Sequence, residues 1–228
     1  MKQMKKLLAL LLALTMALAL AACGSQPEKT LDEPQPEEQV EEQAETEKSF
    51  ERGKVEGSTY TNEGLGMTLV LDEDWKFLND EEIGELTGTV QDMSDSEEIR
   101  AMLENGAALY DMYATTGDAT GRSINITVSD LGALSGKLTT EEAYAAAVAE
   151  QLKPGLESVG AENVEIELTA YTLAGVEHSG MHIDAEMQGV KLCESMTFIK
   201  VGDLVYNVTC TAQSEEELAA VMELFQAL

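Results

Sequence analysis

The sequence predicts an α+β fold, an antiparallel β-sheet flanked by helices, and two patterns lead to that prediction. Four successive segments between residues 164 and 211 alternate apolar and polar side chains with no helical pattern between them, which favours an antiparallel meander over a doubly wound parallel sheet. Helical periodicity with capping residues occurs on both sides of this region. With 228 residues, 44% of them hydrophobic, the chain can bury a substantial core.

The N-terminus has the parts of a secretory signal peptide. Met1–Lys6 include three lysines and no acidic residue, and Leu7–Leu20 are apolar except for one threonine. As a helix, the segment from Leu7 to Ala22 would reach about 24 Å, which is less than the roughly 30 Å of a bilayer's hydrocarbon core. We therefore interpret residues 1–22 as a cleaved signal rather than a permanent membrane span.

A cysteine stands at the expected cleavage point. Leu20-Ala21-Ala22-Cys23 resembles the lipobox of bacterial lipoproteins. The resemblance implies cleavage before Cys23, acylation of its thiol, and anchorage in the lipid bilayer at the extracytoplasmic face of the cell membrane. Two or three acyl chains hold a protein stably, whereas one chain does so only marginally. The alternative is an ordinary secretory signal followed by a coincidental cysteine.

Residues 23–57 differ in composition from the rest of the chain. Residues 24–57 carry eleven acidic and four basic side chains, and they contain three of the four prolines. Such a segment buries too little apolar surface to offset its ordering entropy, and its charges repel one another. The sequence therefore predicts a disordered acidic tether over residues 23–57, beginning at the lipidated Cys23.

Residues 58–228 have the pattern of a single α+β domain. In the first half, Asn62-Glu63-Gly64 predicts a turn in a hairpin over Tyr60–Leu71. A capping box at Ser94–Glu97 predicts a short helix with an apolar stripe. Two strands follow, over 107–113 and 123–128, because apolar and polar side chains alternate there.

The second half contains the clearest helix and the meander. Thr139 and Glu142 have capping-box spacing, so the helix begins there and runs through Leu152. Pro154 kinks or ends it, although residues 156–159 could add a further turn. The predicted strands cover residues 164–173, 180–187, 191–199 and 204–211, and Ser214 caps a final helix.

The beginning of the domain resembles a known family. Leu65-Gly66-Met67-x-Leu69-x-Leu71, followed by Trp75, is similar to the opening of PsbP/Mog1-like domains and of related bacterial lipoproteins. Asp72 stands where that family usually has a proline. The resemblance implies an antiparallel sheet flanked by helices, and it implies little about activity because the fold serves several functions.

The two histidines are the first candidates for metal ligands. His178 and His182 are four residues apart, but on a strand that spacing separates them by roughly 13 Å. His182, Asp184 and Glu186 share one strand face, with roughly 7 Å between neighbours. Asp72-Glu73-Asp74 lacks the regular spacing of a calcium loop and is interpreted as an exposed turn. The sequence therefore predicts neither a metal site nor a cofactor.

Cys193 and Cys210 could form a disulfide in an exported protein. A three-residue loop at 200–202, which places Ile199 opposite Asp203, would put the two cysteines on opposite faces of the sheet and prevent a bridge. A shift of one residue would reverse that conclusion, and two buried free thiols are the other alternative.

Charge and missing motifs limit the function. The net charge of −29 disfavours nucleic acid and anionic lipid surfaces as partners of the domain. Nucleophile motifs and phosphate-binding loops are absent from the sequence, so we predict no catalytic residue and no enzyme. We expect a non-catalytic interaction or accessory module of the cell envelope, with an envelope protein or a small ligand as partner. The alternative is a lipoprotein that binds a small solute or a divalent cation.

Overall fold

The computed structural model describes residues 50–88, 96–117 and 121–228. The predicted signal peptide, Cys23 and most of the predicted tether lie outside these residues, as do the capping residues Ser94 and Asp95. Within the described residues the chain combines helices with two antiparallel sheets, which confirms the predicted fold class. No helix among them is long and apolar enough to span a bilayer.

The helices and strands follow the predicted order closely. The strands are β1 Lys54–Glu56, β2 Thr59–Asn62, β3 Met67–Val70, β4 Lys76–Phe77, β5 Leu109–Thr115, β6 Ser123–Asp130, β7 Ala161–Leu173, β8 Val176–Met187, β9 Val190–Val201, β10 Leu204–Ala212 and β11 Phe225–Ala227. The described helices are α1 Asp80–Thr87, α2 Ser96–Glu104, α3 Gly132–Leu138, α4 Glu141–Ser158 and α5 Glu215–Met222.

The larger sheet has the strand order β4-β5-β6-β10-β9-β8-β7, and the smaller sheet has the order β1-β2-β3-β11. The predicted hairpin forms β2 and β3, and the predicted meander forms β7 to β10. The strand β11, which follows α5, pairs with β3. The two ends of the domain therefore meet in the smaller sheet.

Each face of the larger sheet has its own apolar layer. On one face, a core that includes Leu69, Ile126, Val208 and Leu218 joins the smaller sheet, α2 and α5 to the larger sheet. On the other face, α4 packs on β8 and β9, with Tyr144 against Phe198 in an edge-on contact at 5.2 Å between ring centroids. Alternate residues of β8 and β9 therefore face different layers.

The start of α4 differs from the prediction, and its end follows the longer of the two courses that the sequence left open. The N-cap is Thr140, whose side chain accepts a hydrogen bond from the Ala143 N–H at 3.1 Å, and Thr139 instead closes α3. The helix also continues through Pro154 to Ser158. Leu152 and Leu156 are both buried on the same helix face, so packing on either side of the proline compensates for the lost backbone hydrogen bond.

The β9–β10 turn corrects the predicted register. Val201 lies opposite Leu204, so the turn contains only Gly202 and Asp203, and Gly202 supplies the positive φ of 63°. Cys193 then lies opposite Ala212, and Cys210 lies opposite Ser195, on the same face of the sheet. Diagonal neighbours of this kind are about 7–8 Å apart, too far for a disulfide. Both cysteines are buried free thiols.

The folded part includes residues 50–57, which the sequence assigned to the tether. Arg52 forms an ion pair with Asp80, with 3.0 Å between Nη1 and Oδ2, and β1 follows at once. The Gly53 N–H donates to the buried Asp111 carboxylate at 2.9 Å. The Tyr60 hydroxyl and the Asn62 amide also donate to this carboxylate. Burial raises the pKa of Asp111, and these three donors compensate for the lost contact with water.

Candidate metal centre

Four side chains from three elements meet on the sheet face that packs against α5. Met181, Ile183 and Ala185 point into the core under α4, so the alternation of β8 places His182 and Asp184 on the opposite face. Cys193 of β9 pairs with Asp184 across the sheet. The fourth side chain, Glu215, is the first residue of α5, after the N-cap Ser214.

The distances between these four groups are those of a single site. His182 Nε2 lies 2.9 Å from Glu215 Oε1 and 3.2 Å from Asp184 Oδ2. Cys193 Sγ lies 3.9 Å from the same nitrogen. One possible ligand atom from each residue falls within 4.8 Å of all the others. We call this group the four-residue centre.

Two further side chains orient the ligands of the four-residue centre. The hydroxyl of Tyr171, on β7, lies 3.2 Å from His182 Nδ1 and leaves Nε2 directed at the carboxylates. Lys191 Nζ lies 3.2 Å from Asp184 Oδ1, the oxygen that does not face the histidine. Contacts of this kind hold the ring and the carboxylate of metal ligands in position.

The electrostatics of the centre favour a cation. Burial raises the pKa of the Cys193 thiol to about 12, and the nearby carboxylates of Glu215 and Asp184 raise it further. The thiol is therefore protonated at neutral pH in the protein without metal. A bound divalent cation would be the largest local charge and would favour the thiolate. The Asp184 carboxylate, which forms an ion pair with Lys191, also raises the pKa of that lysine.

Half of this centre, His182 and Asp184, is recognisable in the sequence, but the spacing of a strand argued against a metal site there. Side chains lean along a strand, so the functional groups of His182 and Asp184 approach to 3.2 Å, not the roughly 7 Å of the strand repeat. Glu186 lies outside the centre, near Asn163. Cys193 depends on the register of β9, and Glu215 is distant in sequence, so local spacing contained no signal for either residue.

His178 has a different role. Its Nδ1 lies 3.2 Å from Glu141 Oε1, and the same carboxylate accepts hydrogen bonds from the backbone N–H groups of Ser179 at 3.3 Å and Lys200 at 2.9 Å. Glu141 is the first residue of α4. This contact attaches the start of α4 to β8 and β9, so His178 and His182 take part in separate sites.

The acidic corner at Asp72 forms a turn. The side chain of Asp72 accepts a hydrogen bond from the Asp74 N–H at 3.0 Å, and the neighbouring residues line an open cavity of about 570 Å³. Among the described residues, the four-residue centre is the one group of three or more His, Cys, Asp and Glu side chains close enough to share a metal ion. The structure therefore gives no support for a calcium site at the corner.

Comparisons with known proteins place the chain in no family. No family model matches it, and no curated protein is similar to it. A solved structure from Bacteroides thetaiotaomicron matches 76% of this chain at 10% identity, with a TM-score of 0.38, and the match spans about half (49%) of that chain. LpqN of Mycobacterium tuberculosis, described as involved in cell envelope biogenesis, matches 70% of this chain and 82% of its own at 14% identity, with a TM-score of 0.37. Similarity this low carries no inference about function, and the PsbP/Mog1-like resemblance stays a prediction.

Proposed function

We propose that the chain is a bacterial lipoprotein whose folded domain binds a divalent metal cation at the four-residue centre. In this proposal, acylated Cys23 anchors the protein in the lipid bilayer at the extracytoplasmic face of the cell membrane. The domain acts there as a non-catalytic accessory module of the envelope. The observation that carries the binding function is the convergence of His182, Asp184, Cys193 and Glu215 within 4.8 Å.

The charge of the site supports this proposal. Asp184 and Glu215 contribute two carboxylates, and Lys191 is the cation that the structure records beside Asp184. The negative charge of the whole chain attracts cations and raises their local concentration. A divalent cation at the centre would relieve the repulsion between two carboxylates that lie near one imidazole.

Calorimetry on the mature acylated chain in detergent micelles tests the binding function. We expect Zn²⁺, used as the probe, to bind at one site per chain and to raise the midpoint of thermal unfolding. His182→Gln removes a central ligand and should abolish that site. Glu216→Gln is the matched control, because Glu216 is an exposed neighbour of Glu215 and should bind as the wild type does.

The result that would contradict the binding function is equally direct. Absence of binding heat and of any thermal shift with Zn²⁺, Mn²⁺ and Ca²⁺ would refute it. Stoichiometric binding that His182→Gln leaves unchanged would also refute the assignment to this centre.

The anchor is tested separately from the centre. We expect the wild-type chain to incorporate a labelled fatty acid and to sediment with membranes. Cys23→Ser should abolish both properties, because the acylated thiol is the proposed attachment point. Recovery of Cys23→Ser in the membrane fraction to the same extent as the wild type would refute the anchor without affecting the metal proposal.

A further inference from the structure

We infer that the four-residue centre is a zinc-type site in which the Cys193 sulfur binds the metal as a thiolate, and that it excludes Ca²⁺ and Mg²⁺. This inference rests on the proposed binding function and goes beyond it by naming the class of metal and the bond that selects it. Its distinctive claim concerns the sulfur atom, which calcium and magnesium sites do not use.

The donor set favours zinc. The centre offers one imidazole nitrogen, one sulfur and two carboxylates, and nitrogen and sulfur donors are typical of zinc. Ca²⁺ takes about 6–8 oxygen ligands, whereas Asp184 and Glu215 provide the carboxylates of this centre. Mg²⁺ also prefers oxygen and usually retains several waters.

The spacing of the donors also fits a small tetrahedral ion. Donor atoms around tetrahedral zinc, at about 2.0–2.3 Å from the metal, lie roughly 3.3–3.6 Å from one another. The three distances from His182 Nε2, to Glu215, Asp184 and Cys193, are 2.9, 3.2 and 3.9 Å and bracket that range. Small side-chain movements would therefore bring the donors to metal-binding distances.

Burial differs across the centre in a way that suits this chemistry. Cys193 has 0% exposed surface, whereas the Glu215 side chain is 66% exposed at the start of α5. The sulfur lies at the protected floor of the centre, and the ion can approach from the side of Glu215. A thiolate protected from solvent is also less accessible to oxidants than an exposed one.

Tyr171 orients the His182 ring for metal binding through Nε2. When a histidine binds a metal through Nε2, its ring proton resides on Nδ1 and needs an acceptor. The Tyr171 hydroxyl oxygen lies 3.2 Å from that nitrogen. Tyr171 is thus a positioning residue, and Tyr171→Phe should weaken binding roughly 10–100-fold while preserving the same ligands.

Cobalt spectroscopy on the mature acylated chain tests the inference. Co²⁺ takes the place of zinc, and a thiolate ligand gives a sulfur-to-cobalt charge-transfer band in the near ultraviolet. We expect that band in the wild type, in Tyr171→Phe at higher cobalt concentration, and in the matched control Cys210→Ser. Cys193→Ser should lack it. Added Zn²⁺ should abolish the band, and a large excess of Ca²⁺ or Mg²⁺ should leave it unchanged.

The outcomes separate this inference from the binding function. Cobalt binding without the charge-transfer band would overturn thiolate ligation, and displacement of cobalt by Ca²⁺ or Mg²⁺ would overturn the selectivity. Either result leaves a divalent cation site intact. The wild-type spectrum decides the first point even if Cys193→Ser fails to fold. Absence of binding by every cation would instead refute the binding function itself.

Discussion

Glu194 is a carboxyl group buried in the larger sheet, and Glu194→Gln should stabilise the protein at neutral pH. The residue is 3% exposed and lies on β9 between Ile183 and Thr211 of the neighbouring strands. The Thr211 hydroxyl donates a hydrogen bond to its carboxylate at 3.0 Å. Glutamine keeps an oxygen that can accept this hydrogen bond but carries no charge.

The magnitude follows from the pKa of Glu194, which burial raises from an ordinary 4.5 to about 7. Below pH 4.5 the carboxyl is protonated in both the folded and the unfolded chain, and the two states do not differ. Between pH 4.5 and 7 the folded chain binds more protons, so the free energy of unfolding falls as the pH rises. Above pH 7 the free energy of unfolding is therefore lower by about 3 kcal/mol than it is below pH 4.5, as far as Glu194 is concerned.

Urea unfolding, followed by the fluorescence of the single tryptophan, measures this effect. The free energy of unfolding of Glu194→Gln should exceed that of the wild type by roughly 1 kcal/mol at pH 5 and by roughly 3 kcal/mol at pH 8. Glu157→Gln, at an exposed position on α4, is the control and should follow the wild type at every pH.

Two results would refute the reasoning. If Glu194→Gln and the wild type differed by the same amount at pH 5 and pH 8, Glu194 would not be the group that titrates. If the glutamine variant were less stable at pH 8, the buried carboxylate would be gaining more from its surroundings than it loses through burial.

Three substitutions, with Lys153→Ala as the control, test the stability of the fold by urea unfolding. Gly180→Ala would place a Cβ atom 2.3 Å from the Met196 backbone oxygen and should cost about 1–3 kcal/mol. Ser214→Ala removes the hydroxyl that accepts from the Glu217 N–H at 3.3 Å and should cost about 1 kcal/mol; an unchanged stability would argue against the cap. Leu152→Ala, at a side chain with 0% exposure, should cost about 2–5 kcal/mol, whereas Lys153→Ala, at an exposed position, should change stability by less than about 0.5 kcal/mol.

Much of the fold could be predicted because the information is local. The alternation in β7 to β10 and the cap at Ser214 depend on neighbouring residues, and both predictions are confirmed. The predicted register of β9 and β10 was wrong because a two-residue turn and a three-residue loop can both accommodate Gly202. The sequence left open whether α4 continues past Pro154, because that depends on the burial of Leu156, a tertiary effect that outweighs the local effect of the proline.

In the candidate centre, too, some features depend on neighbouring residues and others depend on tertiary contacts. The strand pattern placed His182 and Asp184 on one face, as the structure does. It could not reveal that Cys193 lies beside them, because that depends on strand register. Nor could it reveal Glu215, which lies more than thirty residues from His182 in the sequence and reaches the centre because α5 packs on the sheet.

The amino-acid sequence was sufficient to predict the α+β class, the order of most helices and strands, and an exported, acidic lipoprotein. These properties follow from composition, short-range periodicity and a contiguous motif, so no tertiary contact is needed to recognise them. Which polar side chains meet became clear from the folded chain alone. The four donors come from β8, β9 and α5, and their proximity depends on strand register and helix packing, which local spacing does not encode.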